Sequence, residues 1–87
     1  MKISKILIEE HIKEKILYKH HIRATEIKNA LLNNPLILRT REGRYLAIGN
    51  DQRIITIIFE LVKDTAFIVI AYPSSDVQRK LYKRKRR

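Results

Sequence analysis

Two apolar stretches, IITIIFELV at residues 54–62 and TAFIVIAY at residues 65–72, are separated only by Lys63 and Asp64. A two-residue gap is that of a tight hairpin turn, so the stretches predict paired antiparallel strands. Along the first, Ile55, Ile57, Phe59 and Leu61 share one face; along the second, Phe67, Val69 and Ala71 oppose Ala66, Ile68 and Ile70. Both faces of both strands are apolar, which places the pair in the middle of a sheet rather than at its margin. The rest of the chain must supply the neighbours. Leu36, Leu38 and Thr40 alternate with Ile37, Arg39 and Arg41, the period of a strand. Glu42 and Gly43 read as a turn, residues 44–48 as the next strand, and Gly49-Asn50-Asp51-Gln52 as the turn leading back to the hairpin. The short apolar run at residues 3–8 reads as a first strand.

Between the first strand and the sheet the period changes. Glu9 and Glu10 suit a helix N-terminus, and Ile12, Ile16, Leu17 and His20 then fall on one helical face, predicting a helix over residues 10–20. His21-Ile22-Arg23 breaks that pattern. A second helix begins at Ala24 or Thr25, places Ile27, Ala30, Leu31 and Asn34 on one side, and stops at Asn33-Asn34-Pro35, because proline disfavours helix at the residue before it. Pro73 ends the sheet, and Ser74 or Ser75 caps a last helix with an apolar stripe of Val77, Leu81 and Tyr82. The order is β-α-α-β-β-β-β-α. It predicts an α+β fold, with the two N-terminal helices on one face of a mostly antiparallel sheet of four or five strands and a short basic C-terminal helix.

At 87 residues the chain is one domain, residues 1–82, with a basic tail at residues 83–87. Nineteen Lys and Arg oppose nine Asp and Glu, for a net charge of +10. Seven of those cations lie in the last nine positions, so the body carries only +3. Such a charge attracts polyanions, and Lys and Arg gain affinity for phosphates through counterion release. With no cysteine there is no disulfide framework, thiolate metal site or thiol nucleophile. No apolar run approaches the roughly 20 residues of a membrane span. The N-terminus has no long apolar segment of the signal-peptide kind. These features predict a cytoplasmic protein without membrane association. With only two glycines, the phosphate-loop and dinucleotide fingerprints are absent, and adjacent His20 and His21 lack the spacing of a helical metal pair. Neither metal nor small-molecule cofactor is expected.

Three stretches carry a family resemblance. KHHI at residues 19–22, followed by Glu26, Ile27, Ala30 and Leu31, is similar to a Lys-His-Gly turn between helices. GRYLAIG at residues 43–49 is similar to a strand and turn with Glu-Arg and a closing Gly. IVIA at residues 68–71, through RKLY at residues 79–82, parallels an Ile-Ser-Ala-Arg strand and a helix bearing Glu and a terminal Tyr. Together they cover nearly the whole chain, which resembles the RelE/ParE toxin superfamily and within it the BrnT-type toxins. Where that pattern has Gly, Arg and Glu, this chain has His21, Tyr72 and Gln78.

The resemblance implies a toxin of a type II toxin–antitoxin system, with RNA or the ribosome and a cognate antitoxin as partners; a homodimer is left open. It implies messenger RNA cleavage by a group that moves protons and by cations that stabilise the phosphorane. The candidate catalytic residues are Tyr72, His20, Arg44 and Tyr82. His20 either moves protons or packs against the end of its helix; Arg44 either binds phosphate or blunts a sheet edge; Tyr82 either stacks on a base or packs its helix onto the sheet. Arg39, Arg41, Arg53, Arg79, Lys80, Lys83, Arg84, Lys85, Arg86 and Arg87 are the candidate nucleic-acid contacts. Two functions stay open on this reading: an endoribonuclease, and a non-enzymatic nucleic-acid-binding module on the same fold.

Overall fold

The computed structural model describes residues 1–41 and 43–85. Glu42, Arg86 and Arg87 lie outside them. The elements follow the expected order: β1 (Lys5–Leu7), α1 (Glu10–His20), α2 (Ala24–Leu32), β2 (Leu36–Arg41), β3 (Arg44–Asn50), β4 (Ile54–Val62), β5 (Thr65–Pro73) and α3 (Asp76–Lys85). The strands form one sheet in the order β1-β5-β4-β3-β2. β2 to β5 make an antiparallel meander, and β1 adds to β5 in parallel. The hairpin strands β4 and β5 lie inside the sheet, as their two apolar faces require.

α1 and α2 cover one face. Ile16, Ile22, Ile27, Ala30 and Leu31 from the helical layer pack on Ala47, Ile55, Ile57, Phe59, Ala66, Ile68 and Ala71 from the sheet. Tyr45 joins this side and stacks on Phe59 with ring centroids 5.7 Å apart. Phe59 is fully buried, and removing a core aromatic of this kind costs about 3–5 kcal/mol. The opposite face is partly covered by α3, which packs against β3. α3 carries helical structure through Lys85, three residues into the basic run. No helix among the described residues is long and apolar enough to cross a membrane.

The structure departs from the sequence reading in several places. Leu17 and Val77, expected on the apolar faces of α1 and α3, are exposed, because each lies on the side of its helix turned from the sheet. β3 runs through Gly49 to Asn50 instead of ending at Ile48. Gly49 is needed within the strand, because a Cβ there would lie 2.6 Å from the Ala30 carbonyl oxygen of α2. Asn34 is not on the α2 face; it follows the helix with a positive φ of 49°. Most consequential, the strict alternation expected for β5 fails. Ile58 pairs with Ile70 but Phe59 pairs with Ile68, so Val69 is an extra residue in β5, a bulge. Beyond it the faces exchange. Ala66, Ile68 and Ala71 face the helices, while Phe67, Ile70 and Tyr72 face the other side. Without the bulge, Tyr72 would point into the helical layer.

Candidate active site

Tyr72, turned outward by the bulge, pairs in register with Thr56 on β4. Thr56 is the single polar residue in the run from Ile54 to Phe59 and is fully buried. Its hydroxyl lies 2.7 Å from the Ser74 hydroxyl and 2.9 Å from Oε1 of Gln78. Ser75 and Gln78 form a reciprocal cap at the start of α3: the Gln78 N–H donates to Ser75 Oγ at 3.2 Å, and the Ser75 N–H donates to Gln78 Oε1 at 2.9 Å. The other end of the Gln78 amide donates from Nε2 to the Tyr72 hydroxyl oxygen at 3.2 Å.

These contacts fix the direction of every proton in the network. The Ser75 backbone N–H can only donate, so the Gln78 atom facing it must be the carbonyl oxygen, and a flipped amide is excluded. That oxygen only accepts, so Thr56 gives its one proton to Gln78. Ser74 must then donate to Thr56. At the far end, Nε2 only donates, so the Tyr72 oxygen accepts. The Tyr72 proton is left pointing out of the network, toward whatever occupies the surface.

The imidazole of His20, at the end of α1, stands beside Tyr72, with ring centroids 6.4 Å apart and planes tilted by 54°. No hydrogen bond joins them. Tyr72 thus lies between the end of α1 and the start of α3. On α3, Arg79 donates to the Ser74 carbonyl at 2.6 Å and pairs with Asp76. Tyr82 follows Gln78 by one helical turn on the same half-buried side. Lys80, Lys83, Arg84 and Lys85 are exposed on this helix.

The fold brings together two of the four candidate catalytic residues, Tyr72 and His20, and sets Tyr82 nearby. It does not bring Arg44. That residue lies on the same sheet face as Tyr72, but it pairs with Glu60 at 3.2 Å. Glu60 is four residues along β4 from Thr56, roughly 13 Å at strand rise. Arg41 stands opposite Arg44 on that face, whereas Arg39, opposite Tyr45, is on the helix side beside Ile37 and Leu31. Arg53 is on neither surface near Tyr72. Its guanidinium forks onto the Glu26 carboxylate at 2.7 and 3.1 Å and donates to the His21 carbonyl at 2.7 Å. The hydrogen bond it donates to Glu26 raises the Arg53 pKa above its already high ordinary value, against the opposing effect of burial. These contacts tie the α1–α2 turn and the first turn of α2 to the β3–β4 loop.

Sequence reasoning gave Thr56 no role, named Ser74 only as an alternative to Ser75 for the cap, which Ser75 makes, and did not reach the second role of Gln78. The signals were there: one polar residue in an apolar strand for Thr56, and the Ser-x-x-Gln spacing of a cap for Gln78.

The fold and site define a small α+β protein whose meander sheet carries two helices on one side and a capped basic helix on the other. This is the fold of BrnT. The crystal structure of the Brucella abortus ribonuclease toxin BrnT matches with a TM-score of 0.70 and 22% sequence identity, covering 84% of this chain and 99% of that one. No protein-family model and no curated protein sequence matches the chain.

Proposed function

We propose that this chain is a toxin-type endoribonuclease whose reacting phosphodiester sits at Tyr72 and His20. The observation that carries the reading is the Tyr72 hydroxyl accepting from Gln78 Nε2 beside an imidazole, which leaves its proton free to donate, on a fold shared with a ribonuclease toxin. In this chemistry His20 takes the proton of a ribose 2′-hydroxyl. The 2′-oxygen bonds to phosphorus, the bond from phosphorus to the 5′-oxygen breaks, and Tyr72 gives its proton to that leaving oxygen. The products are a 2′,3′-cyclic phosphate and a 5′-hydroxyl. The cations of α3 hold the polyanion, and ribosome-bound messenger RNA is the expected substrate. A cognate antitoxin of a type II system is the expected partner, covering the basic surface when the toxin is silent.

Induced expression without a partner is expected to arrest growth and fragment transcripts, and the purified chain is expected to leave cyclic phosphate ends on a labelled RNA. Tyr72→Phe keeps the ring against His20 and removes the proton, so cleavage should fall by about 10²–10⁴-fold. Normal growth with intact RNA refutes the reading. RNA binding without cleavage makes the chain a binding module on this fold.

A further inference from the structure

A groove runs along α1 and leads up to the Tyr72 site. β1 pairs with β5 only from Thr65 to Phe67, so beyond the bulge the outer side of β5 faces α1 instead of a strand. The groove encloses about 310 Å³ between His11, Lys15, Lys19 and His20 on one side and Val69 and Ile70 on the other, with Ile12 and Ile16 among its lining residues. His11, Lys15 and Lys19 recur every fourth residue and so form one ridge, roughly 12 Å long at helical rise. No acidic residue lines it. Lys15 and Lys19 make no ion pair among the described residues, whereas Lys13 reaches Glu10 and Arg53 is neutralised by Glu26. The cavity around Arg53, by contrast, contains both Glu26 and Asp51.

Unpaired cations along one lip and apolar side chains within suit a ligand with regularly spaced anions and flat apolar faces. A single-stranded polynucleotide has both, and an RNA duplex hides its base faces by stacking. We infer that this groove holds the single-stranded RNA flanking the cleaved bond, with Lys15 and Lys19 on successive phosphates and a base laid against the half-buried Ile12 and Val69. The assignment rests on the proposed function for the position of the reacting bond. Its binding test does not depend on cleavage.

The test uses the full chain carrying Tyr72→Phe, so that the RNA stays intact. Binding of a short fluorescein-labelled oligouridylate is followed by anisotropy across a salt series. Lys15→Gln with Lys19→Gln is compared with Lys2→Gln and Lys28→Gln, exposed lysines elsewhere with the same change in net charge. The groove pair is expected to lower the slope of log affinity against log salt by about 1.4, and affinity at 0.1 M salt by roughly twentyfold. The control pair should leave the slope near its starting value. Equal slopes for the two pairs overturn the inference. So does competition by oligoglutamate as strong as that by unlabelled oligouridylate, which would make the groove an acidic-peptide site. An abasic phosphodiester oligomer that binds as tightly as oligouridylate overturns it as well. If the wild-type chain fails to cleave RNA while the groove lysines carry the slope, the proposed function falls and the groove stands; cleavage with neutral lysines gives the reverse.

Discussion

Thr56→Val tests the proton directions in the network, because the change is nearly isosteric and the position is fully buried. Valine cannot accept, so the Ser74 hydroxyl, itself only 3% exposed, loses the acceptor 2.7 Å away. Gln78 Oε1 keeps the Ser75 N–H and loses only one of its two donors. The cost is therefore that of one stranded buried hydroxyl, about 1–3 kcal/mol. In a domain of this size that lowers the thermal midpoint by about 5–20 °C. Adding Ser74→Ala removes the stranded group itself. When both partners become apolar the penalty largely disappears, so the double variant should be more stable than Thr56→Val alone. The measurement is urea unfolding followed by far-ultraviolet circular dichroism on wild type, both single variants and the double, with slopes compared to confirm that the unfolded states match. Additive losses would refute the argument, since they would mean that Thr56 and Ser74 contribute independently and that no proton chain links them.

Four further changes test the frame around the site by the same unfolding measurement. His21 caps α1 with φ 55°, so His21→Gly should raise stability by about 0.5 kcal/mol: relief of the left-handed strain exceeds the entropy that glycine gains in the unfolded chain. Gly49→Ala forces a Cβ against the Ala30 backbone and should cost about 1–3 kcal/mol. Gly43→Asn, at φ 72° with open space around it, should cost much less, because asparagine tolerates that conformation. Arg53→Ala leaves the mostly buried Glu26 carboxylate without its fork and the His21 carbonyl without its donor. A loss of about 1–2 kcal/mol is expected, with RNA binding reduced no more than by removal of a remote surface charge.

Much of the fold is legible in the sequence because it is encoded by spacing. The two-residue gap at Lys63 and Asp64 sets the hairpin, the fourfold recurrence in residues 10–20 sets α1, and Pro35 and Pro73 lie where α2 and the sheet give way. The bulge at Val69 is not legible. An extra residue shows itself only when polar and apolar positions exchange sides, and here both sides are apolar. The site is legible in part for the same reason. Tyr72 and His20 stand out by residue type and position, but their adjacency depends on that bulge and on the shortness of β1. Arg53 reads as a free cation because nothing in the local sequence reveals its partner Glu26, 27 residues away. Arg44 likewise reads as available to phosphate until the register of β3 and β4 sets Glu60 opposite it.

The register of the sheet and the cap of α3 also bear on two departures from the toxin pattern that the sequence resembles. Tyr72 stands where that pattern has Arg, and Gln78 where it has Glu. In the structure these positions touch, so the departures form one exchange. Arg with Glu would be a charged donor and acceptor; Tyr with Gln is a neutral pair with the donor moved to the other side. Either half alone conflicts with its neighbour. Arg at position 72 would meet the Gln78 NH₂ donor against donor. Glu at position 78 would draw the Tyr72 proton inward and leave none for the surface. What stays constant is the other end of residue 78. Glu and Gln both offer an oxygen to the Ser75 N–H and the Thr56 hydroxyl, so the cap and the buried network survive the exchange. The scaffold can therefore change which group it presents at this surface, a fixed cation or a hydroxyl proton, without altering what holds that group in place.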